Sequence, residues 1–502
     1  MSPRAMVPVA AVEPSLGRQV RLGAMWSGAN TIVLRLGTFV VGVAAARLLA
    51  PDQFGVFAVA LTVHMIIINM SDLGVSAYVV RYQGDLRRVA PTVVTMAMAS
   101  TTVLAALMAF GAPGLARLLG SPEAEGSIRV LAITVLLAGP SAVPNSLLVR
   151  DFQQKKRFMA ECASFLASTG VLLILASSGA GALSLAWSRV TGQVVLTGLY
   201  VCMVTPRYAP GWDRGQVPAV LRFGGPLVAA SFLGFIIGNV DYIMISHALG
   251  NEALGLYYLA HNVASWPYSI LSPVIGSVAL AAFARISSDR ASIPGYLTTT
   301  LSGVMAVALP ASALLAALAV PLVAGIYGDR WAGAAGALAV TALYGVLRIP
   351  ADILSNLLIA LGRTRSMLAG QALYGAVLIP LTYVGVLKFG IVGAGLAHGV
   401  GIAFVLLPWY AWSLQLGVGV HRLRLVSAIA PPAVAAIIAA ALAFSMTRLE
   451  LGPWATLVTA GGVGAAAYVA LLGSWLRKTL PKIRETWAGP ERSRPLTPQV
   501  SP

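Results

Sequence analysis

The chain has 502 residues, of which 58% are hydrophobic and only 10% charged, and its mean hydropathy is +0.82. Soluble domains cannot hide that much apolar surface, so composition predicts a polytopic membrane protein and excludes a soluble one. The formal net charge of +17 comes from Lys and Arg placed between apolar spans instead of in one continuous patch. It reads as a topological signal, and no nucleic-acid partner is expected.

Residues 1–21, with Pro3, Pro8 and Pro14, hold too short an apolar run for a signal-peptide core and read as a cytoplasmic lead. A helix needs about 20 apolar residues to cross a hydrocarbon core of about 30 Å. Cutting the sequence at its polar turns gives fourteen such segments. Six of them, at 22–49, 54–80, 89–112, 127–149, 158–178 and 182–204, form a first lobe over 22–204. A polar connector at 205–222 leads to a second lobe over 223–415, with spans at 223–248, 254–283, 296–325, 334–361, 367–387 and 391–415. A helix pair over 416–476, with spans at 425–446 and 454–476, has no counterpart, and 477–502 is a basic, Pro-containing cytoplasmic tail suited to contact anionic lipid. The expected fold is all-α, with two pseudo-symmetric six-helix lobes and two further helices.

The pseudo-symmetry is read from an internal repeat. Residues 46–61 pair with 246–261 at an offset of 200, matching Leu49, Gly55 and Ala60 with Leu249, Gly255 and Ala260. Further on, Asn145 pairs with Asn356, Gly179 with Gly390, and Leu185-Ala186 with Leu396-Ala397, all 211 apart. A nearly constant offset of this kind reads as an internal duplication.

Orientation follows from the basic residues. Twenty-five of the 34 fall in the lead, the alternate connectors and the tail, and five fall on the opposite side, where acids such as Glu123 and Asp329 gather. Both termini are therefore expected in the cytoplasm. The connectors are too short for a folded catalytic or nucleotide-binding domain. No Gly-x-x-x-x-Gly-Lys-Ser/Thr loop, His-Glu-x-x-His motif or Cys/His cluster occurs. No enzyme activity, cofactor or metal is expected, and Cys162 and Cys202 read as packing residues.

The pattern Ala-Arg-Leu-Leu-x-Pro-x-x-Phe-Gly-x-Phe-Ala at 46–58, followed by Ser71-Asp72-Leu73-Gly74-Val75 and Val80-Arg81, resembles the start of Wzx-type oligosaccharide flippases. These form the polysaccharide-transporter branch of the MOP superfamily, which also holds the MATE exporters and the lipid II flippases. Arg222-Phe223-Gly224-Gly225-Pro226, Asp241-Tyr242 and Gly255-Leu256-Tyr257 resemble the same family's second lobe. The resemblance implies two six-helix lobes around a central cavity, with two helices outside. It also implies a substrate made of a glycan joined through pyrophosphate to a polyprenyl carrier, turned from the inner to the outer leaflet of a bacterial cytoplasmic membrane. Membrane lipids and other polysaccharide-assembly proteins are the remaining expected partners. Two rivals stay open: a MATE-like exporter of organic cations, whose cavity should be acid-rich, and a membrane polysaccharide polymerase or ligase.

Charged residues within the spans are the candidate site. Burying an Arg at the bilayer centre costs at least about 2.5 kcal/mol, and an aqueous cavity receiving pyrophosphate would compensate for it, because the guanidinium fork matches phosphate oxygens. Arg35, Arg348 and Arg189 are the candidate substrate contacts, while Arg129 lies close enough to the outer interface to snorkel. Asp352 follows Arg348 by one helical turn and is expected either to neutralise it or to exchange it for a substrate phosphate. Asp241 and Asp72, with Asp352, are candidates for binding a coupling proton or cation. His64, His261 and His398 read as packing residues, and Pro140, Pro144, Pro226, Pro267, Pro273, Pro310, Pro350 and Pro380 as points where spans kink.

Overall fold

In a computed structural model of the protein, the described residues are 16–71, 78–80, 82, 84–215, 217–218, 235, 237–271, 292–449 and 451–488. Asp72 and the stretch 219–234 lie outside them. The described residues form helices and no strand. These are α1 (Leu16–Leu48), α2 (Pro51–Ser71), α3 (Leu86–Leu118), α4 (Glu125–Arg150), α5 (Gln154–Ser177), α6 (Ala182–Met203), α7 (Val240–Ala264), α8 (Ile293–Ala317), α9 (Ala334–Ala360), α10 (Thr364–Gly401), α11 (Leu407–Val418), α12 (Arg422–Met446) and α13 (Pro453–Ala488). Among the described residues, nine helical stretches are long and apolar enough to cross a membrane, one of them running from Thr364 to Val418. α1, α6 and α7, which carry Arg35, Arg189 and Asp241, are not among the nine. Helix suits such apolar stretches, because hydrocarbon supplies no hydrogen bonds to open backbone and a helix satisfies its own within one segment.

Two long helices are broken inside. The backbone turns out of helix at Gly250 (φ 83°, ψ −177°) in α7 and at Gly390 (φ 59°, ψ −144°) in α10. Both angles fall where a Cβ is strained, and both breaks sit between segments that the sequence separates, 248 from 254 and 387 from 391. Gly179, the repeat partner of Gly390, also has positive φ (83°), although the ψ of Gly181 (φ 58°, ψ −137°) is the closer match to Gly390. Helix continues through Pro140, Pro144, Pro310, Pro350 and Pro380, so these prolines interrupt hydrogen bonding without ending their helices.

The chain divides into two compact units, the first of 1–45, 63–112 and 126–232, the second of 46–62, 113–125 and 233–502. The first has a core of Val79, Val89, Val93, Val143, Leu148 and Tyr200 from α3, α4, α6 and the segment 78–80. Its polar connector is fixed to α3: Gly211 N–H donates to the Pro91 carbonyl (3.1 Å), Thr95 Oγ1 to the Gly211 carbonyl (2.7 Å) and Asp213 N–H to Thr92 Oγ1 (2.9 Å). The second unit packs α8, α9, α11 and the π-helical turn Ile402–Leu406 through Leu297, Leu301, Ile349, Leu357, Ile402 and Tyr410. α12 and α13 join through Ala436, Ala439, Tyr468 and Leu472 against α8, with Tyr468 Oη donating to the Ala306 carbonyl (2.7 Å).

Within the second unit, the stretches that pair in sequence also meet in space. A Cβ on Gly55 would land on the carbonyl oxygen of Asn251, and a Cβ on Gly255 would land on the carbonyl oxygen of Pro51. Residues 51 and 251, like 55 and 255, are separated by 200, so the contact is self-complementary, as across a twofold axis. The surroundings repeat the relation. Arg47 donates to the carbonyls of Ile326 (3.0 Å) and Gly325 (2.9 Å), and Trp331 Nε1 donates to the Ala46 carbonyl (2.9 Å). In the other copy His247 lies against Gly120, and Asn251 Nδ2 donates to Glu123 Oε2 (3.1 Å). Gly120 (φ 76°) and Gly328 (φ 94°) each precede a short 3-10 turn, Pro122–Ala124 and Asp329–Trp331.

Candidate functional site

The charged and aromatic residues of the second unit converge on α7, α9 and α10. Asp241, in the first turn of α7, is completely buried. Its carboxylate accepts from the Tyr257 hydroxyl (2.6 Å) and the Tyr242 backbone N–H (3.0 Å), and stands 3.5 Å from His398 Nε2. His398, buried on α10, uses Nδ1 to meet the Tyr374 hydroxyl at 2.9 Å, and its ring stacks on Tyr344 of α9 with centroids 5.1 Å apart. The Tyr344 ring also lies near His261 of α7, with centroids 6.2 Å apart. The Gly250 break lets α7 serve both places, since Asp241 lies before it and Tyr257 and His261 after it. The buried carboxylate is thus satisfied by a hydroxyl and a backbone N–H, with an imidazole beside it.

Arg348 and Asp352 lie one turn apart on α9, but Tyr268 stands between them. The guanidinium packs over the Tyr268 ring, 4.5 Å from its centroid, and the Tyr268 hydroxyl donates to Asp352 Oδ2 (2.6 Å). The direct neutralisation that the spacing suggests is therefore replaced by a bridge through an aromatic ring, which attracts the cation on its face and satisfies the anion at its edge. The Arg348 side chain then opens on a half-open cleft lined by His261, Ser265, Tyr268, Thr341, Tyr344 and Arg348.

The remaining expected site residues are placed separately. Arg35 is exposed on α1 and Arg189 is exposed on α6, both in the first unit. Arg189 lies within electrostatic reach of buried His64, whose Nδ1 is 3.1 Å from Thr134 Oγ1. Arg129 is exposed on α4. The structure thus brings together Arg348, Asp352 and Asp241 with His261 and His398, and adds Tyr257, Tyr268, Tyr344 and Tyr374. The tyrosines escape sequence reading because aromatic residues in spans look like packing, and only their hydroxyl partners reveal the polar role. Among the described residues, no group of three or more His, Cys, Asp or Glu could hold a metal ion.

The described residues form a multi-helix membrane fold with a buried carboxylate among aromatic side chains, and comparison with known proteins gives its family. The profile of the family described as polysaccharide biosynthesis protein matches residues 44–336, more than half of the chain, and the chain belongs to that family. It is 30% identical over 302 residues to the succinoglycan biosynthesis transport protein ExoT of Rhizobium meliloti, covering 59% of this chain and 60% of that one. It is 24% identical over 385 residues to the lipopolysaccharide biosynthesis protein WzxC of Escherichia coli, covering 76% of this chain and 78% of that one. Among solved structures it is similar to the lipid II flippase MurJ in an inward closed conformation, with a TM-score of 0.73, 15% identity, and coverage of 89% of this chain and 100% of that one. An inward-facing MATE-family multidrug transporter of the MOP superfamily matches with a TM-score of 0.62 and 14% identity over 80% of this chain and 98% of that one. The chain shares the fold of these two solved structures and is a multi-pass membrane protein.

Proposed function

We propose that the protein turns a polyprenyl-pyrophosphate-linked oligosaccharide from the inner to the outer leaflet of the bacterial cytoplasmic membrane, by alternating access, for cell-surface or exopolysaccharide synthesis. The observation that carries this reading is membership of the polysaccharide biosynthesis family through 44–336. Relatives named for transport in succinoglycan synthesis and the fold likeness to a lipid II flippase point the same way. The protein acts as a transporter and not as an enzyme. Both termini lie in the cytoplasm, and the lobes are 22–204 and 223–415. Arg348, Arg35 and Arg189 contact the anionic part of the substrate. Asp241 carries the coupling proton or cation, with Asp72 and Asp352 as the other candidate acids, and polysaccharide-assembly proteins take up the product.

Deleting the gene and analysing polyprenyl-linked glycans by mass spectrometry tests the reading. Accumulation of complete lipid-linked units that stay inaccessible from outside, reversed by the wild-type gene, is expected. Accumulation of such units on the outer face would instead indicate a polymerase or ligase. The buried Asp241 and the half-buried Asp352 favour one second reading, a MATE-like exporter of organic cations. That reading expects the deletion strain to become sensitive to cationic dyes while its glycan output stays normal.

A further inference from the structure

α3, α4, α5 and α9 end in the same hydrogen-bonded turn, in which one N–H reaches back three residues and the next reaches back five. The pairs are Gly120 to Arg117 with Ser121 to Ala116, Phe152 to Val149 with Gln153 to Leu148, Gly179 to Ala176 with Ala180 to Leu175, and Gly362 to Ile359 with Arg363 to Leu358. This pattern places the first residue of each pair in the left-handed region, where glycine is the usual occupant. Gly120, Gly179 and Gly362 conform, with φ of 76°, 83° and 72°, but at the end of α4 the position is held by Phe152 (φ 53°). A Cβ in that conformation weighs against folding by a factor of roughly 5–30. Packing within the chain does little to offset this, because Phe152 is 47% exposed. The turn joins two helices that are each long and apolar enough to cross a membrane, Pro122–Arg150 and Gln154–Ser177, so the ring sits where both spans end. Residues 150–157 hold four basic residues, Arg150, Lys155, Lys156 and Arg157, against one acid, Asp151. Arg157 is paired with Glu161 (3.1 Å), whereas Lys155 and Lys156 are exposed. Lys155 Nζ stands 6.0 Å from the centroid of the Trp26 ring and Lys156 Nζ donates to the Met203 carbonyl (3.3 Å), contacts that hold both ammonium groups near the turn without cancelling their charge.

We propose that the turn between α4 and α5 is a docking surface for anionic phospholipid. The Phe152 ring enters the boundary between headgroups and acyl chains, where an aromatic side chain is favoured, and Lys155 and Lys156 attract the headgroup phosphates beside it. Phenylalanine thus stands where glycine would fold more readily, because the bilayer uses the ring. On the orientation proposed above the turn faces the cytoplasm, and the surface does not depend on which molecule the protein carries.

The test uses the full chain in lipid nanodiscs, with Phe152 replaced by trifluoromethyl-phenylalanine, which keeps the ring and gives one fluorine NMR signal. Lipid bearing a nitroxide near the headgroup end of its acyl chain should broaden that signal, and a water-soluble gadolinium chelate should not. Broadening by gadolinium alone would put the ring in water and overturn the proposal; protection from both agents would put it against the protein and overturn it too. At equal mole fraction, nitroxide-labelled phosphatidylglycerol should broaden the signal more than labelled phosphatidylcholine. A lysine at an anionic surface is worth about a fivefold local enrichment, so Lys155→Gln with Lys156→Gln should remove most of that preference. Any stability lost with the Lys156 bond to Met203 is common to both lipids and cancels in the comparison. Arg87→Gln with Arg88→Gln, at an exposed basic pair on α3, is the control and should leave the preference intact. Equal broadening by the two lipids, or an equal loss in the α3 control, would reduce the effect to general surface charge and overturn the site. Phe152→Gly should melt no lower than the wild type in detergent micelles, since the glycine relieves the turn; a lower melting temperature would show that the ring is kept for folding and would also sink the proposal.

Discussion

Replacing Gly55 with Ala adds a single methyl group at the reciprocal crossing of α2 and the second part of α7. Inside a helix the change alone stabilises by about 1 kcal/mol, because Gly loses more backbone entropy than Ala on folding. Overpacking works against this at a cost of about 1–3 kcal/mol. At Gly55 the obstructing atoms are the carbonyl and Cα of Asn251, and backbone cannot rotate aside as a side chain can. The cost therefore falls at the upper end, about 3 kcal/mol, for a net loss of about 2 kcal/mol. Gly42 in α1 is the control, since among the described residues nothing beyond its own stretch of helix lies within 4 Å of a methyl added there. Gly42→Ala should leave stability unchanged or raise it by up to about 1 kcal/mol, so the two variants should differ by about 2–3 kcal/mol. Unfolding of the purified chain by SDS titration in mixed micelles, followed by tryptophan fluorescence, measures the difference. Gly255→Ala should match Gly55→Ala, and the double variant should cost less than the sum, because both methyl groups push apart the same crossing. Equal stability of Gly55→Ala and Gly42→Ala would refute the argument.

Tyr257→Phe removes a donor 2.6 Å from a fully buried carboxylate and should destabilise by about 2 kcal/mol in the same titration; no loss would mean that Asp241 is not held there as an anion. Asp241→Asn should abolish the dependence of glycan export on the transmembrane proton or cation gradient, and unchanged sensitivity to its collapse would exclude Asp241 from coupling. Arg35→Gln should be expressed normally and fail to export glycan, whereas Arg35→Lys retains part of the activity; normal export by Arg35→Gln would remove that residue from the substrate path. In a cysteine-free background, a cysteine at exposed position 123 should react with a membrane-impermeant maleimide in intact cells and one at exposed position 156 should not, and the opposite result would invert the topology.

Much of the architecture was determined by the sequence because it depends on local quantities. Apolar length predicts spans, and a helix is the form of backbone that satisfies its own hydrogen bonds within one segment. The breaks at 250 and 390 fall at the polar turns that separate spans in the sequence, and the repeat offset also singles out Gly390 through Gly179. Gly55 and Gly255 stood out as a repeat pair, although their meeting, with 51 and 251 exchanged across the crossing, is a matter of packing and was decided in three dimensions. The site divides along the same line. Arg348 and Asp241 announce themselves as charges within apolar runs, because transferring a charge out of water costs energy that something must offset. What offsets it depends on residues distant in sequence: Tyr257 lies 16 positions from Asp241, Tyr268 lies 84 from Asp352, and His398 is on a different helix from either carboxylate. A one-turn spacing predicts that Arg348 and Asp352 share a face, but whether they touch is settled by what a neighbouring helix inserts between them. Here it inserts Tyr268, whose ring takes the cation and whose hydroxyl takes the anion.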